Sequence, residues 1–272
     1  MIFRKLKASA GNFMRDEERR NGKELNAYTV LSTRPAEKFK AEIENYNFNL
    51  INVPLTKLIR NEITSSQKNE IEKFGPDVII LTSSYGAEIF LKNLWVLFKH
   101  RDIKFIAIGA FTAEPLIKEG IKTYIPQDKT TEGIIQFVKQ EIPREFRIMI
   151  LRSNRGNPIL NEFLEVDKRE FIEFVLYDIL EDIENREKLL KCLRTMDLKA
   201  ILLTSSLEAS IFFRIIREEN FKINDKTVIY AIGEPTKRAV LNSGYMGKIL
   251  TGESSFKLIL DNINKNNSGE WI

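Results

Sequence analysis

Asp77-Val78-Ile79-Ile80-Leu81-Thr82-Ser83-Ser84 and, further along, Ala200-Ile201-Leu202-Leu203-Thr204-Ser205-Ser206 are the two stretches whose reading decides the fold. In each, an unbroken run of aliphatic residues stops at a hydroxyl-rich turn. That is the pattern of a strand buried on both faces, ending where a helix begins. A second pair follows in the same order and spacing, Ala107-Ile108-Gly109 and Ala231-Ile232-Gly233. Thr112 and Thr236 each lie three residues past the glycine, and Gly120 and Gly244 close the helices that follow. The chain therefore reads as an internal duplication in which each copy is an α/β unit.

Outward from these stretches, strands are expected at 29–32, 50–53, 78–82, 105–108, 147–151, 173–177, 200–203 and 228–232. Helices fill most of the gaps, the clearest at 36–46, 87–99, 131–140, 185–195, 208–218 and 256–264. Such alternation specifies mostly parallel sheets with crossover helices. Periodicity alone cuts the chain once, near Pro143. Residues 1–26, polar and charged, read as an extension, and 264–272 as a frayed end with Trp271 as an anchor.

The small counts exclude more chemistry than the large ones. At 272 residues, 43% hydrophobic and 29% charged, the chain has the composition of a globular protein of about two domains. One cysteine (Cys192) cannot form an internal disulfide, and with one histidine (His100) the usual zinc ligand sets are missing. His100 follows the apolar run Trp95-Val96-Leu97-Phe98 and reads as the solvated end of a helix. Cys192, between Leu190 and Leu193, reads as a buried thiol. Forty-two basic against 38 acidic residues give +4, which argues against a nucleic-acid partner and permits an anionic ligand. No segment approaches the roughly 18 apolar residues of a membrane helix. The start lacks the apolar core of a signal peptide, so a cytoplasmic protein without a membrane partner is expected.

Strand ends leading into helix starts are where open α/β sheets bind ligands, because unpaired N–H groups and the positive helix end converge there. Singly, each of these serines and threonines reads as a helix N-cap; their double recurrence points to an anion site. Gly109 and Gly233 read as tight turns. Neither belongs to a G-x-G-x-x-G or Walker A sequence, which removes the usual support for nucleotide binding.

Over 28–264 the chain resembles the uroporphyrinogen-III synthase family. The resemblance is carried by Ser32-Thr33-Arg34-Pro35, Asp77-Val78-Ile79-Ile80-Leu81-Thr82-Ser83, Ala107-Ile108-Gly109-Ala110-Phe111-Thr112, Val175-Leu176-Tyr177, Ala200-Ile201-Leu202-Leu203-Thr204-Ser205 and Ala231-Ile232-Gly233-Glu234-Pro235-Thr236, in order. It implies two similar α/β domains with parallel sheets flanked by helices, joined by a two-stranded connector near Pro54 and Tyr177, with the active site in the interdomain cleft. One domain is then discontinuous, 1–55 with 179–272, and the other is 56–178. The implied activity is that of a cyclising hydro-lyase of tetrapyrrole biosynthesis. It closes linear hydroxymethylbilane to uroporphyrinogen III with inversion of ring D and loss of water. The implied enzyme is a monomer using neither metal nor organic cofactor.

By the same resemblance Tyr177 assists departure of the substrate hydroxyl. On its residues alone Tyr177 also reads as a strand-end aromatic packed on a helix. A phenol with a pKa of about 10 stays protonated at neutral pH and needs no histidine to act as an acid. Thr112 and Thr236, with Ser83, Ser84, Ser205 and Ser206, are expected to hold acetate and propionate carboxylates. Arg34 and Arg152, after equivalent strands, are candidate anion contacts, and 152–156 reads as an anion loop. Ser84-Tyr85 and Ser206-Leu207 depart from commoner forms of the family. The main rival is a non-enzymatic two-domain small-molecule sensor on the same plan. A nucleotide-sugar transferase is a further rival, opposed by the absence of a Gly-rich loop and of a paired-Asp metal motif.

Overall fold

The computed structural model describes residues 28–39, 46–252 and 255–265. Its strands are β1 (Thr29–Ser32), β2 (Asn49–Asn52), β3 (Thr56–Arg60), β4 (Val78–Leu81), β5 (Lys104–Ala107), β6 (Thr123–Tyr124), β7 (Ile148–Ser153), β8 (Phe171–Glu181), β9 (Leu198–Leu203), β10 (Val228–Ile232) and β11 (Ile249–Gly252). The helices are α1 (Ser65–Phe74), α2 (Ser84–Asn93), α3 (Ala110–Lys118), α4 (Thr131–Glu141), α5 (Ile159–Val166), α6 (Arg186–Thr195), α7 (Ser206–Glu218), α8 (Gly233–Asn242) and α9 (Phe256–Lys265). Among the described residues no helix is long and apolar enough to cross a membrane.

Two sheets result. One runs β11-β10-β9-β1-β2 and is parallel throughout. The other runs β3-β8-β7-β4-β5-β6, parallel except for the β3–β8 pair. The duplication is visible in the strand order: β4 has β5 and β6 on one side and β7 and β8 on the other, as β9 has β10 and β11 against β1 and β2. In both sheets the order reverses beside the first strand of the repeat, β4 or β9. There successive crossovers leave in opposite directions and open a crevice beyond the strand ends.

Why the aliphatic runs fold this way is clearest at β4, whose four residues are all fully buried. Ile79 and Leu81 enter one cluster with Met149 and Leu151 of β7, Ile71 of α1, Ala87 and Phe90 of α2 and Leu116 of α3. Val78 and Ile80 enter another, with Ile148 and Ile150 of β7, Ile134 and Val138 of α4 and Leu160 and Leu164 of α5. The period-2 alternation thus feeds two helix layers, so no polar residue is tolerated in the run. Phe90 anchors the first layer, its ring centroid 5.8 Å from Phe98 and 5.6 Å from Phe105. Truncating such a buried phenylalanine to alanine costs about 3–5 kcal/mol.

The described residues divide into two compact units, 28–32 with 46–53 and 188–265, and 33–39 with 54–187. The expected boundary at 178/179 falls inside β8. That strand continues to Glu181 because β3 pairs with it from Thr56↔Glu181 to Arg60↔Tyr177. Segment 33–39, and Arg34 with it, belongs to the second unit. The helix expected at 36–46 is, in its described part, a single 3-10 turn at Ala36–Lys38, and 40–45 lie outside the described residues, as do 1–26 and Trp271. The helix expected at 87–99 starts earlier and ends at Asn93; Leu94 and Phe98 are both buried by way of the 3-10 turn Trp95–Leu97. Strands β3, β6 and β11 were not expected. The first and last have half-polar, half-buried patterns and β6 has only two residues.

Candidate functional site

The two hydroxyl-rich turns fold alike and then differ in chemistry. Ser83 caps α2 from an extended backbone (φ −156°, ψ 148°), its Oγ accepting the Gly86 N–H at 3.0 Å. Ser205 caps α7 from the same conformation (φ −157°, ψ 159°), its Oγ accepting the Glu208 N–H at 3.1 Å. Position N3 therefore holds a glycine in one copy and a carboxylate in the other. Glu208 is 2% exposed, and its oxygens accept from Thr204 N–H at 2.9 Å and from the Thr204 and Ser205 hydroxyls at 3.0 Å. The second copy supplies its own carboxyl group at the helix start.

Ser205 is engaged within its own unit. Its hydroxyl donates to Glu208 and accepts from the backbone, so both hydrogen-bonding roles are taken within the unit. Ser206, the first residue of α7, offers its carbonyl to the Ser210 hydroxyl at 2.9 Å. In α2, by contrast, the first turn carries no acidic residue, and Ser83 and Ser84 are half-buried.

Ser83 has a second partner. The Tyr177 phenol donates to its Oγ at 2.9 Å. Tyr177 lies on β8, 2% exposed, within the same apolar cluster as Leu81 and Phe90. Its ring meets Tyr85 edge-on, centroids 4.9 Å apart and planes at 88°. The packing reading is realised, the ring being part of the core, and the hydroxyl reaches the start of α2 through Ser83. Burial raises the phenol above its ordinary 10.0, against the pull of the Ser83 and Ser153 hydroxyls, and Tyr85 adds to the rise. Tyr177 is therefore a neutral donor across the physiological range. Ser153, which ends β7 and is 9% exposed, was not picked out from the sequence. Gly86 matters here as well, because a Cβ there would stand 2.9 Å from Ser83 Oγ and 3.9 Å from Tyr177 Cε1.

Thr112 and Thr236 sit one turn into α3 and α8 rather than at their caps, which are Gly109 and Ile232. They are 5% and 2% exposed, yet neither hydroxyl has a hydrogen-bond partner among the described residues. Neither hydroxyl is among the fully enclosed polar atoms left without a partner, so both remain able to donate. Of the glycines read as tight turns, Gly233 has φ +75°, while Gly109 is extended at φ −169° and needs no special freedom. Gly120 (φ +76°) and Gly244 (φ +84°) end α3 and α8 in the left-handed region, as a helix-closing glycine does.

Arg152 is engaged within its own unit. It is 7% exposed; Nε and Nη2 grip the Glu173 carboxylate at 2.8 and 2.7 Å, and Nη1 donates to the Asn157 carbonyl at 2.6 Å. Asn161 also donates to Glu173. Gly156 exists for this side chain, since any Cβ there would overlap Arg152. The loop's other arginine, Arg155, is exposed and makes no ion pair among the described residues. Arg34 donates from Nε to the Lys38 carbonyl at 2.8 Å. His100 is exposed, and Cys192, 4% exposed, is held as a thiol by burial, which raises its pKa.

Comparison with known proteins agrees with this architecture. Residues 37–250 match the model of the family described as uroporphyrinogen-III synthase HemD. A protein of Archaeoglobus fulgidus, provisionally named a uroporphyrinogen-III synthase, is 27% identical over 225 residues, covering 81% of this chain and 91% of its own. Among solved structures, a mutant uroporphyrinogen III synthase of Thermus thermophilus superposes with a TM-score of 0.65 at 18% identity, covering 90% of this chain and 100% of its own. The uroporphyrinogen-III synthetase of Helicobacter pylori gives 0.58 at 16% identity, covering 87% and 98%. With well over half of its length matched, the chain belongs to the uroporphyrinogen-III synthase family.

Proposed function

We propose that this chain closes hydroxymethylbilane to uroporphyrinogen III as a cyclising hydro-lyase, acting as a cytoplasmic monomer. The observation that carries this reading is the family match over residues 37–250; the neutral phenol of Tyr177 at the helix start supports the assignment of roles.

The substrate ionises readily, so direction matters more than activation. Tyr177 donates to the hydroxyl on the ring A carbon, which departs as water and leaves an electrophilic azafulvene. The substituted α-carbon of ring D attacks, giving a spiro intermediate. Fragmentation and reclosure through the free α-carbon invert that ring. The closing pyrrole then sheds its α proton, which restores the proton Tyr177 gave. Direct attack by the free α-carbon leads to the unrearranged isomer and has to be suppressed by placement, a contribution of about 7–11 kcal/mol in the best intramolecular cases.

Placement of a polycarboxylate falls to hydroxyls and helix starts. Ser83 and Ser84 with the first N–H groups of α2, and the unpaired hydroxyls of Thr112 and Thr236, are the groups proposed to do this. Arg34 remains a proposed contact. The test is direct: purified protein is given freshly made hydroxymethylbilane and the ratio of type III to type I uroporphyrinogen is measured. Type III in excess is expected; type I alone, at the uncatalysed rate, overturns the reading.

A further inference from the structure

Arg60 ends β3 and lies directly opposite Tyr177 across the antiparallel β3–β8 ladder, so the two side chains share a face of the sheet. Its guanidinium carbon stands 5.8 Å from the centroid of the Tyr85 ring. The same ring meets Tyr177 edge-on at 4.9 Å, which makes Tyr85 a spacer between the cation and the phenol. The Arg60 side chain is exposed and, among the described residues, makes neither a hydrogen bond nor an ion pair. Stacking on an aromatic face holds a guanidinium in one place without neutralising it, and leaves its edge donors available.

Arg60 is placed beside a positive helix end. Tyr85 is the second residue of α2, so the cation is held over the first turn of a helix, where the macrodipole is already positive. No acidic residue stands in that turn, whereas the equivalent turn of the other copy contains Glu208. A fixed cation beside a positive helix end is electrostatically unfavourable alone and favourable with an anion bound to both.

We propose that Arg60 is a substrate-binding residue that, with the first N–H groups of α2, holds one acetate or propionate carboxylate of the tetrapyrrole beside Tyr177. This rests on the substrate class proposed above. Arg60 was outside every motif of the sequence, because β3 is not part of the duplicated pattern.

The test uses the full chain and the variants Arg60→Ala, Arg60→Lys and Tyr85→Leu. In steady-state assays with hydroxymethylbilane, Arg60→Ala is expected to raise KM about ten- to a hundredfold, the effect of losing one charge-assisted hydrogen bond to a carboxylate. Its kcat should change less than about threefold, since the contact is made equally in ground and transition states. Arg60→Lys, which keeps charge without the planar fork, should fall between, and Tyr85→Leu should raise KM by releasing the cation. Added salt should raise KM of the parent protein more than that of Arg60→Ala. Titration with uroporphyrin, an unreactive polycarboxylate of the same skeleton, gives a second readout in which Arg60→Ala should weaken binding by the same factor. An Arg60→Ala protein with the parent's KM, salt dependence and uroporphyrin affinity overturns the proposal. A parent protein that makes only type I product overturns the reading of function instead, and the uroporphyrin titration then still decides the role of Arg60.

Discussion

Exchanging Tyr177 for phenylalanine and Ser83 for alanine should separate the chemistry of this site from its packing, because the two residues share one hydrogen bond but differ in everything else. Tyr177→Phe removes chiefly one neutral hydrogen bond, the 2.9 Å contact to Ser83, with Ser153 contributing less, and leaves the ring in its cluster. The Ser83 hydroxyl keeps the Gly86 N–H. The stability cost is therefore that of a single bond, about 0.5–1.5 kcal/mol, or a fall in Tm of about 2–4 °C per kcal/mol. Loss of a positioned acid lowers the rate by about 10²–10⁴, equivalent to about 2.7–5.4 kcal/mol of barrier at 1.36 per decade. Ser83→Ala reverses the balance. It removes an N-cap, about 1 kcal/mol, and strands the nearly buried phenol, a further 1–3 or so, while leaving the acid in place. Thermal unfolding and type III formation are measured on both proteins. Tyr177→Phe should be the slower and Ser83→Ala the less stable. Undiminished type III formation by Tyr177→Phe refutes the acid assignment; a larger loss of stability in Tyr177→Phe than in Ser83→Ala refutes the packing argument. Because burial raises the phenol above 10.0, kcat should show no loss from its ionisation until the pH exceeds that value.

Thr112→Val should raise KM several-fold with stability unchanged or improved, since its hydroxyl makes no bond that the protein loses; a marked drop in Tm would show that the hydroxyl is structural. Gly86→Glu gives α2 the N3 carboxylate that α7 already has, and should raise KM at least about tenfold by occupying the anion's place; Gly86→Ala separates this from the steric effect of a Cβ at 2.9 Å, and equal KM in the two would leave the charge argument without support. Burial works against ionisation of Glu173, but hydrogen bonds from Arg152 and Asn161 hold its pKa below the ordinary 4.5. The folded value is the lower one, so this contribution is fully present above pH 4.5 and is lost as pH falls through the folded value. Urea unfolding between pH 7 and 3 should show that loss in the parent and not in Glu173→Gln, and identical pH slopes would contradict it. Arg152→Met, leaving Glu173 largely buried without its partner, should cost about 3 kcal/mol at neutral pH, and a change below 1 or so would show the pair to be dispensable.

How far the sequence could be read follows from what each feature depends on. Aliphatic runs such as 78–81 report burial on both faces, and burial is what sequence pattern encodes, so the duplicated strands and the capping serines were legible. Strand β3 was not, because Thr56 to Arg60 acquires its strand character from an antiparallel partner more than a hundred residues away. Arg152 and Arg34 looked equivalent because each follows a parallel strand. That Arg152 is engaged internally is decided by a neighbour's carboxylate, Glu173, that no local pattern points to. The contrast between Gly86 and Glu208 was available by setting the two copies in register, three residues past each serine cap. It required asking what an N3 side chain does to a helix start as well as which residue caps it.

That contrast bears on what duplication means for function. Two copies of one fold offer two helix starts of nearly identical backbone geometry, and a symmetric ligand would favour keeping both open. Here one start is neutralised from within by Glu208, and the other carries a glycine, an unpaired arginine and a buried phenol. An anion approaching α7 meets a carboxylate already bound to Thr204 and Ser205; at α2 it meets donors without an acidic competitor in the first turn. Divergence at N3 alone therefore makes the two halves inequivalent toward a polyanion. A reaction that singles out one ring of a repeating substrate can draw on such inequivalence, because helix starts of equal anion affinity would give no means of distinguishing one carboxylate-bearing ring from another.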